Sequence, residues 1–255
     1  MRRIRPLLTE SVNQENRMGK VLILQNAPLF TAGSFEEELK RREIPYEYRR
    51  VYEGVKNLPS PDQAKNYSGV IALGGPLKLK VDQAEKVEWL HQELSFLRAC
   101  LDEHKPVLGV AQGGNLLAQA QGAWVARAPQ KEIGWLTVEV YPDYSRNSVI
   151  YGEFDEKRFP AFCWYDTFNG FPPQGYWYIT SPNCRYQSTG IHGNCYLFNF
   201  HPEVTEELVA AWVKEYGNEL PSKEDGARMI EATKANMEFT KRLSRRIIHA
   251  FESFL

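Results

Sequence analysis

Residues 107–118, Val-Leu-Gly-Val-Ala-Gln-Gly-Gly-Asn-Leu-Leu-Ala, leave the chain few ways to fold. An apolar run runs directly into a glycine-framed turn and then into helix-forming residues. That order is a strand, a tight reversal and a helix, the geometry of a nucleophile elbow. Such a turn pushes one side chain out at the end of a strand, and the residue at its apex is Ala111, where a serine or cysteine is expected. Some ninety positions later, by the sequence numbering, Leu-Phe-Asn-Phe leads into His201-Pro202-Glu203, a second strand delivering a histidine and a carboxylate.

The surrounding pattern places that turn in an α/β sheet. Residues 20–25 and 69–73 are short apolar runs of the kind buried on both faces of a parallel sheet, and the second ends in Gly74-Gly75-Pro76. Residues 46–52 read as a further strand. Ser34 reads as a helix cap, with Glu36, Glu37 and Glu38 complementing the dipole of the helix it opens. Residues 84–103 carry Val87, Leu90, Leu94, Leu97 and Leu101 at helical spacing. Residues 106–110 form the strand entering the elbow, and residues 116–121 start the helix leaving it.

Alternation of strand and helix predicts a mainly parallel sheet flanked by helices, with sites beyond the carboxyl ends of its strands. Gly74-Gly75-Pro76, Ala111 and His201 all fall there. From 134 to 200 the texture turns β-rich and aromatic, a small antiparallel element with strands at 136–141, 176–180 and 195–200 and turns at Pro142-Asp143 and His192-Gly193-Asn194. Helices follow at 206–216 and 223–254. Residues 1–18 read as a flexible arm, and 19–255 as one domain whose 205–255 part is helical.

Composition excludes several function classes. A net charge of −1 offers no basic field for nucleic acid, and no apolar run approaches the roughly 20 residues of a membrane helix. Arg2, Arg3 and Arg5 are followed by no apolar stretch, so no signal peptide is expected. Cys100, Cys163, Cys184 and Cys195 lack paired metal-ligand spacing and read as reduced thiols of a cytoplasmic protein. Cys163 is read as structural, since a reactive thiol needs an electropositive setting. Trp164 and Tyr165 are candidate pocket walls in an otherwise core-forming aromatic stretch, and Arg245-Arg246 reads as a solvated face.

Together the motifs resemble class I glutamine amidotransferases, whose elbow usually reads Gly-x-Cys-x-Gly-x-Gln. The chain matches at Gly109 and Gly113 and departs at Ala111 and Asn115, while His201-Pro202-Glu203 and Gly74-Gly75-Pro76 keep the family pattern. Glu132-Ile133-Gly134-Trp135, Asp166-Thr167-Phe168 and the run from Asn183 to Gln187 are similar to stretches of standalone members akin to the glutaminase part of GMP synthase. The resemblance implies a flavodoxin-like parallel sheet and no cofactor. It also implies hydrolysis of glutamine, or of a γ-glutamyl compound, to glutamate and ammonia. In that chemistry a thiolate attacks the amide, a histidine shuttles protons, and an acid fixes the histidine tautomer.

Carried over, His201 is the base, Glu203 its orienter, and the amides of Gly75 and Gln112 the oxyanion donors. Gly74, Asn115, Asn199 and Asp166 would contact substrate. Ala111 leaves the scheme without an attacking atom. It is either an engineered substitution or the natural residue of a diverged, catalytically silent member, and the further departures at Gln112, Asn115 and Asn199 favour the second. The reading is thus an amidotransferase-like chain lacking glutaminase activity. The alternatives are a non-catalytic ligand-binding, regulatory or oligomerisation module, and direct activation of water by His201. A small glutamine-like molecule, a synthetase-type acceptor protein or a second copy are the expected partners, with no nucleic acid and no membrane.

Overall fold

A computed structural model describes residues 19–77, 81–145, 148–152 and 154–255, so the expected arm at 1–18 lies outside the described residues. In chain order the elements are β1 (Val21–Gln25), α1 (Gly33–Arg41), β2 (Tyr46–Arg50), β3 (Gly69–Ala72), α2 (Glu88–Asp102), β4 (Val107–Val110) and α3 (Gln112–Ala120). There follow β5 (Val125–Val140), the short α4 (Pro142–Ser145), β6 (Arg158–Asn169), β7 (Tyr176–Thr180), β8 (Ser188–Ile191), β9 (Cys195–Phe198), α5 (Glu206–Tyr216) and α6 (Lys223–Glu252).

The strands form one sheet in the order β2-β1-β3-β4-β9-β8-β7-β5-β6. Its first five strands are parallel, and β8, β7, β5 and β6 continue it antiparallel. The mainly parallel core with an antiparallel portion is therefore as expected. The antiparallel portion extends that sheet, with β5 and β6 forming a long ribbon at its edge.

Alternating side chains on the central strands feed two apolar layers. Val21, Ile23, Ile71 and Leu108 face α1 and α6, through Phe35, Leu39, Leu243, Ile247 and Phe251. Leu22, Leu24, Val70 and Val107 face α2 and α3, through Leu90, Leu94, Leu97, Leu116 and Leu117. This two-sided burial explains why these strands are continuous apolar runs. Parallel register aligns their ends: Leu24 pairs with Ala72, Ala72 with Gly109, and Val110 with Phe198.

Several local expectations need correction. Ser34 does not cap α1; Ala32 occupies the N-cap without a side-chain bond, and Ser34 Oγ lies 2.7 Å from Ser244 Oγ of α6. The glutamates of α1 do more than complement its dipole. Glu36 accepts from the hydroxyls of Tyr46 and Tyr48, and Glu38 pairs with Arg41 and Arg245. Pro142-Asp143 opens α4 where a turn was expected. Arg246 is not merely solvated: its Nε donates to the Ile150 carbonyl, and its guanidinium lies over the Phe154 ring. Strands β6 and β8 escape sequence reading altogether.

One of the closest backbone approaches among the described residues is where α3 begins. A Cβ on Gly113 would stand 2.2 Å from the carbonyl oxygen of Ala72 in β3. Gly113→Ala is therefore expected to destabilise the chain by about 3 kcal/mol, the upper end of overpacking penalties, measured as a shift of the urea unfolding midpoint. Gly217→Ala, with nothing within 4 Å of its Cβ position, should change stability by less than about 0.5 kcal/mol.

Candidate active site

Strand β4 ends at Val110, and Ala111 turns the chain at φ 47°, ψ −117° into α3. A side chain in this region of backbone space is strained by about 1–3 kcal/mol and persists only where its surroundings fix it. Here the Ala111 N–H donates to Phe198 O at 2.6 Å, and its carbonyl accepts from both the backbone N–H and Nδ2 of Asn115, each at 3.0 Å. Ala111 itself is fully buried. The elbow is intact, with a methyl group at its apex.

The segment that follows the neighbouring strand β9 carries His201. His201 N–H donates to Phe162 O at 2.7 Å, and its Nδ1 lies 2.8 Å from Glu203 Oε1. A carboxylate oxygen accepts, so this pairing assigns the donor to Nδ1–H and points Nε2 away from Glu203. Both side chains are buried. The imidazole packs edge-on to Trp212 at 4.9 Å between centroids, with Phe30 and Phe162 beside it. Among the described residues neither His201 Nε2 nor Glu203 Oε2 has a hydrogen-bond partner.

The third part is the loop after β3. Gly75 N–H donates at 2.9 Å to Oε1 of Gln112, whose side chain is fully buried. Leu77 continues that loop into the apolar cluster of Phe30, Phe162, Trp164 and Trp212. Its root is braced from below. Asn26 Nδ2 donates to Leu73 O at 2.9 Å and to Glu93 Oε1 of α2 at 3.2 Å.

No protein-family profile matches the chain. It is 24% identical over 203 residues to the glutamine amidotransferase-like protein YfeJ of Salmonella typhimurium, covering 79% of this chain and 82% of that protein. To a glutamine-hydrolyzing GMP synthase subunit of Ignicoccus hospitalis it is 29% identical over 153 residues, 58% of this chain and 72% of that one. It spans only 24% of the GMP synthase of Saccharomyces cerevisiae, to which the matched part is 31% identical. A glutamine amidotransferase structure from Thermotoga maritima superposes with a TM-score of 0.81 at 25% identity, covering 94% of this chain and 99% of that one. One from Methylobacillus flagellatus gives 0.83 at 21% identity, covering 94% and 96%. In fold the chain is similar to class I glutamine amidotransferases.

Within this amidotransferase-like chain the expected site residues fall into two sets. Gly74, Gly75, Ala111 and Gln112 are in mutual contact: a Cβ on Gly74 would lie 2.7 Å from Gln112 Oε1 and 3.0 Å from Ala111 Cβ. His201 and Glu203 follow the strand that pairs with β4. Asn115 and Asn199 instead meet each other beneath the elbow, Nδ2 to Oδ1 at 3.4 Å. Asn199 Nδ2 further donates to Tyr186 O at 2.7 Å and Asn169 Oδ1 at 3.2 Å. Asp166 stands farther out, paired with Arg127, which also holds Asp82 at 3.3 Å.

Trp164 lies on the His201 side of β6, stacked with Phe162 and edge-on to Trp212. Tyr165 does not line that wall, because alternation along β6 sends it to the opposite layer, where its hydroxyl donates to Glu132. Cys163 shares the Tyr165 layer and is fully buried. Burial drives its thiol well above the ordinary range, the opposite of the electropositive setting a reactive thiol needs.

Sequence reading missed Phe30, Trp212, Glu219 and the Asn26–Glu93 pair. Glu219 accepts from Trp164 Nε1 at 2.7 Å. Glu93 was findable: it sits three residues after Leu90 and one before Leu94, a carboxyl inside an apolar helical stripe.

Burial pushes the Glu93 carboxyl up to about 8, opposed only in part by Asn26. Its folded-state value exceeds the unfolded value of 4.5, so the native state holds the proton more tightly. The resulting stabilisation is complete below pH 4.5 and is lost as pH rises through 8. Unfolding free energy should fall between these limits with a slope approaching about 1.4 kcal/mol per pH unit from this group. Glu93→Gln keeps the shape and the Asn26 bond. Its advantage over the unmodified chain in urea unfolding should therefore widen steadily from pH 5 to pH 8, and a constant difference would refute a neutral Glu93.

Proposed function

We propose that this chain is a catalytically silent glutamine amidotransferase-like module. The observation that carries this reading is Ala111. The elbow keeps its strained backbone at φ 47° and His201 keeps its carboxylate partner, yet the apex carries a methyl group. In the family reaction a sulfur at that apex forms the bond to the γ-carbonyl, His201 takes the thiol proton and returns it to the departing ammonia, and Glu203 holds the tautomer. The amides of Gly75 and Gln112 would face the oxyanion, a contribution of about 3 kcal/mol per donor. None of these parts replaces the missing bond-forming atom, and losing the nucleophile of such a triad costs about 10⁶-fold in turnover.

Water activated directly by His201 is the competing enzymatic reading. Two features stand against it. The imidazole is sealed among Phe30, Phe162 and Trp212 with its side chain fully buried, and an amide demands a stronger nucleophile than water. A relative named as part of a GMP synthase gives the class of partner that a silent module of this fold would serve, a separate synthetase-type protein.

Glutamate formation from millimolar glutamine, followed with a coupled dehydrogenase, should be indistinguishable between the unmodified chain and His201→Ala. Cys163→Ser should likewise change nothing. A rate in the unmodified chain that His201→Ala abolishes would overturn the silent reading in favour of activated water. One that Cys163→Ser abolishes would overturn it in favour of a displaced thiol.

A further inference from the structure

We propose that Gln112 is a built-in occupant of the carboxamide cradle, so that the chain closes its own glutamine site. This rests on the reading of Gly75 as an oxyanion donor and adds to it that the site is blocked to ligand as well as lacking a nucleophile. The side-chain amide of Gln112 has the same functional group as a glutamine ligand, and its carbonyl oxygen already accepts from Gly75 N–H at 2.9 Å. Position is as telling as chemistry. A Cβ at Gly74 would lie 2.7 Å from that oxygen and 3.0 Å from Ala111 Cβ. The carbonyl therefore rests on the loop directly beside the atom that stands where a nucleophile would.

The other half of the amide argues that this placement is not simple packing. Gln112 is fully buried, yet its Nε2 has no hydrogen-bond partner among the described residues. A buried donor left unpaired is unfavourable, and an aliphatic side chain of similar volume would fill the space without it. What the carboxamide adds is the acceptor for Gly75. Tethered one residue from the apex, that acceptor competes with free ligand at an effective concentration in the millimolar range or above. A free glutamine offers the same bond and gains nothing by exchange.

The contact differs from the loss of the nucleophile and can be separated from it experimentally. Ala111→Cys and the double variant Ala111→Cys/Gln112→Ala would each be incubated with the chloroketone analogue of glutamine, and intact mass followed with time. In this reaction the thiol at position 111 gives its proton to His201, its sulfur bonds the chloromethyl carbon, and chloride leaves. The double variant should be alkylated at least tenfold faster than Ala111→Cys alone, and free glutamine should protect it. In parallel, the Gly75 amide should exchange with deuterium at least tenfold faster in Gln112→Ala than in the unmodified chain.

Equal alkylation of the two thiol variants, including no alkylation of either, would overturn the plug. So would a Gly75 exchange rate unchanged by Gln112→Ala while thermal melting shows a folded protein. Each of these results leaves the silent reading standing. Glutamate production by the unmodified chain overturns that reading alone, so the two failures are distinguishable.

Discussion

Everything at the carboxyl edge of the sheet depends on how closely the first turn of α3 approaches β3. Gly113 lies against the Ala72 carbonyl with no room for a Cβ, and this contact fixes where the chain must reverse after β4. Ala111 is forced into its strained backbone between Phe198 O on one side and the Asn115 donors on the other. The same approach sets Gln112 beside the loop that leaves β3, which is how Gly75 finds its acceptor. Strain at Ala111 is thus a product of the packing and does not require a reacting side chain to sustain it.

A comparable argument applies to the histidine and its carboxylate. The segment carrying them is a junction of the fold in its own right. Glu203 O accepts from Ser34 N–H of α1 at 2.9 Å. Pro202 O accepts from Ser244 Oγ of α6, which also meets Ser34 Oγ. His201 N–H ties the segment to Phe162 of β6. Removing His201 would strip a buried carboxylate of its partner and leave a gap among three aromatic rings, two mechanisms that each carry large destabilisation. Such a pair can persist in a chain that performs no hydrolysis, because α1, α6 and β6 converge on it.

Legibility from sequence followed physical locality. Strands β1, β3, β4 and β9 are short apolar runs because both faces are covered, and the positions of Gly74, Gly75, Ala111 and His201 follow from where those runs stop. Strand β6 gave no such signal. It buries Phe159, Ala161 and Cys163 toward one layer and Phe162 and Trp164 toward another, so alternation in polarity vanishes. For the same reason Tyr165 could not be assigned a face without its register to β5. Ser34 looked like a cap because its residue type fits one, whereas its hydroxyl is engaged by a serine 210 positions away. Gln112 was visible as a departure from the family pattern, but the destination of its side chain is set by rotamer and by β3, and neither is written locally.

The distribution of unpaired buried polar atoms gives the edge a further meaning. Of the buried side-chain polar atoms without partners among the described residues, His201 Nε2, Glu203 Oε2, Gln112 Nε2, Asn26 Oδ1 and Glu93 Oε2 belong to segments at or beside the carboxyl ends of the parallel strands, while others, such as Gln119 Oε1 and Thr189 Oγ1, lie elsewhere. Buried polar atoms are ordinarily paired, so a group of exceptions at one end of a sheet marks a place where packing serves something other than stability. A chain that had shed every trace of an amide-binding site could relieve these atoms with aliphatic side chains at no loss to its fold. This one retains them and covers them, with Trp164 and Trp212 on one flank and the Leu77 loop on another. On the proposed reading, the polar interior of an amidotransferase-like site is thereby kept, with Gln112 closing it.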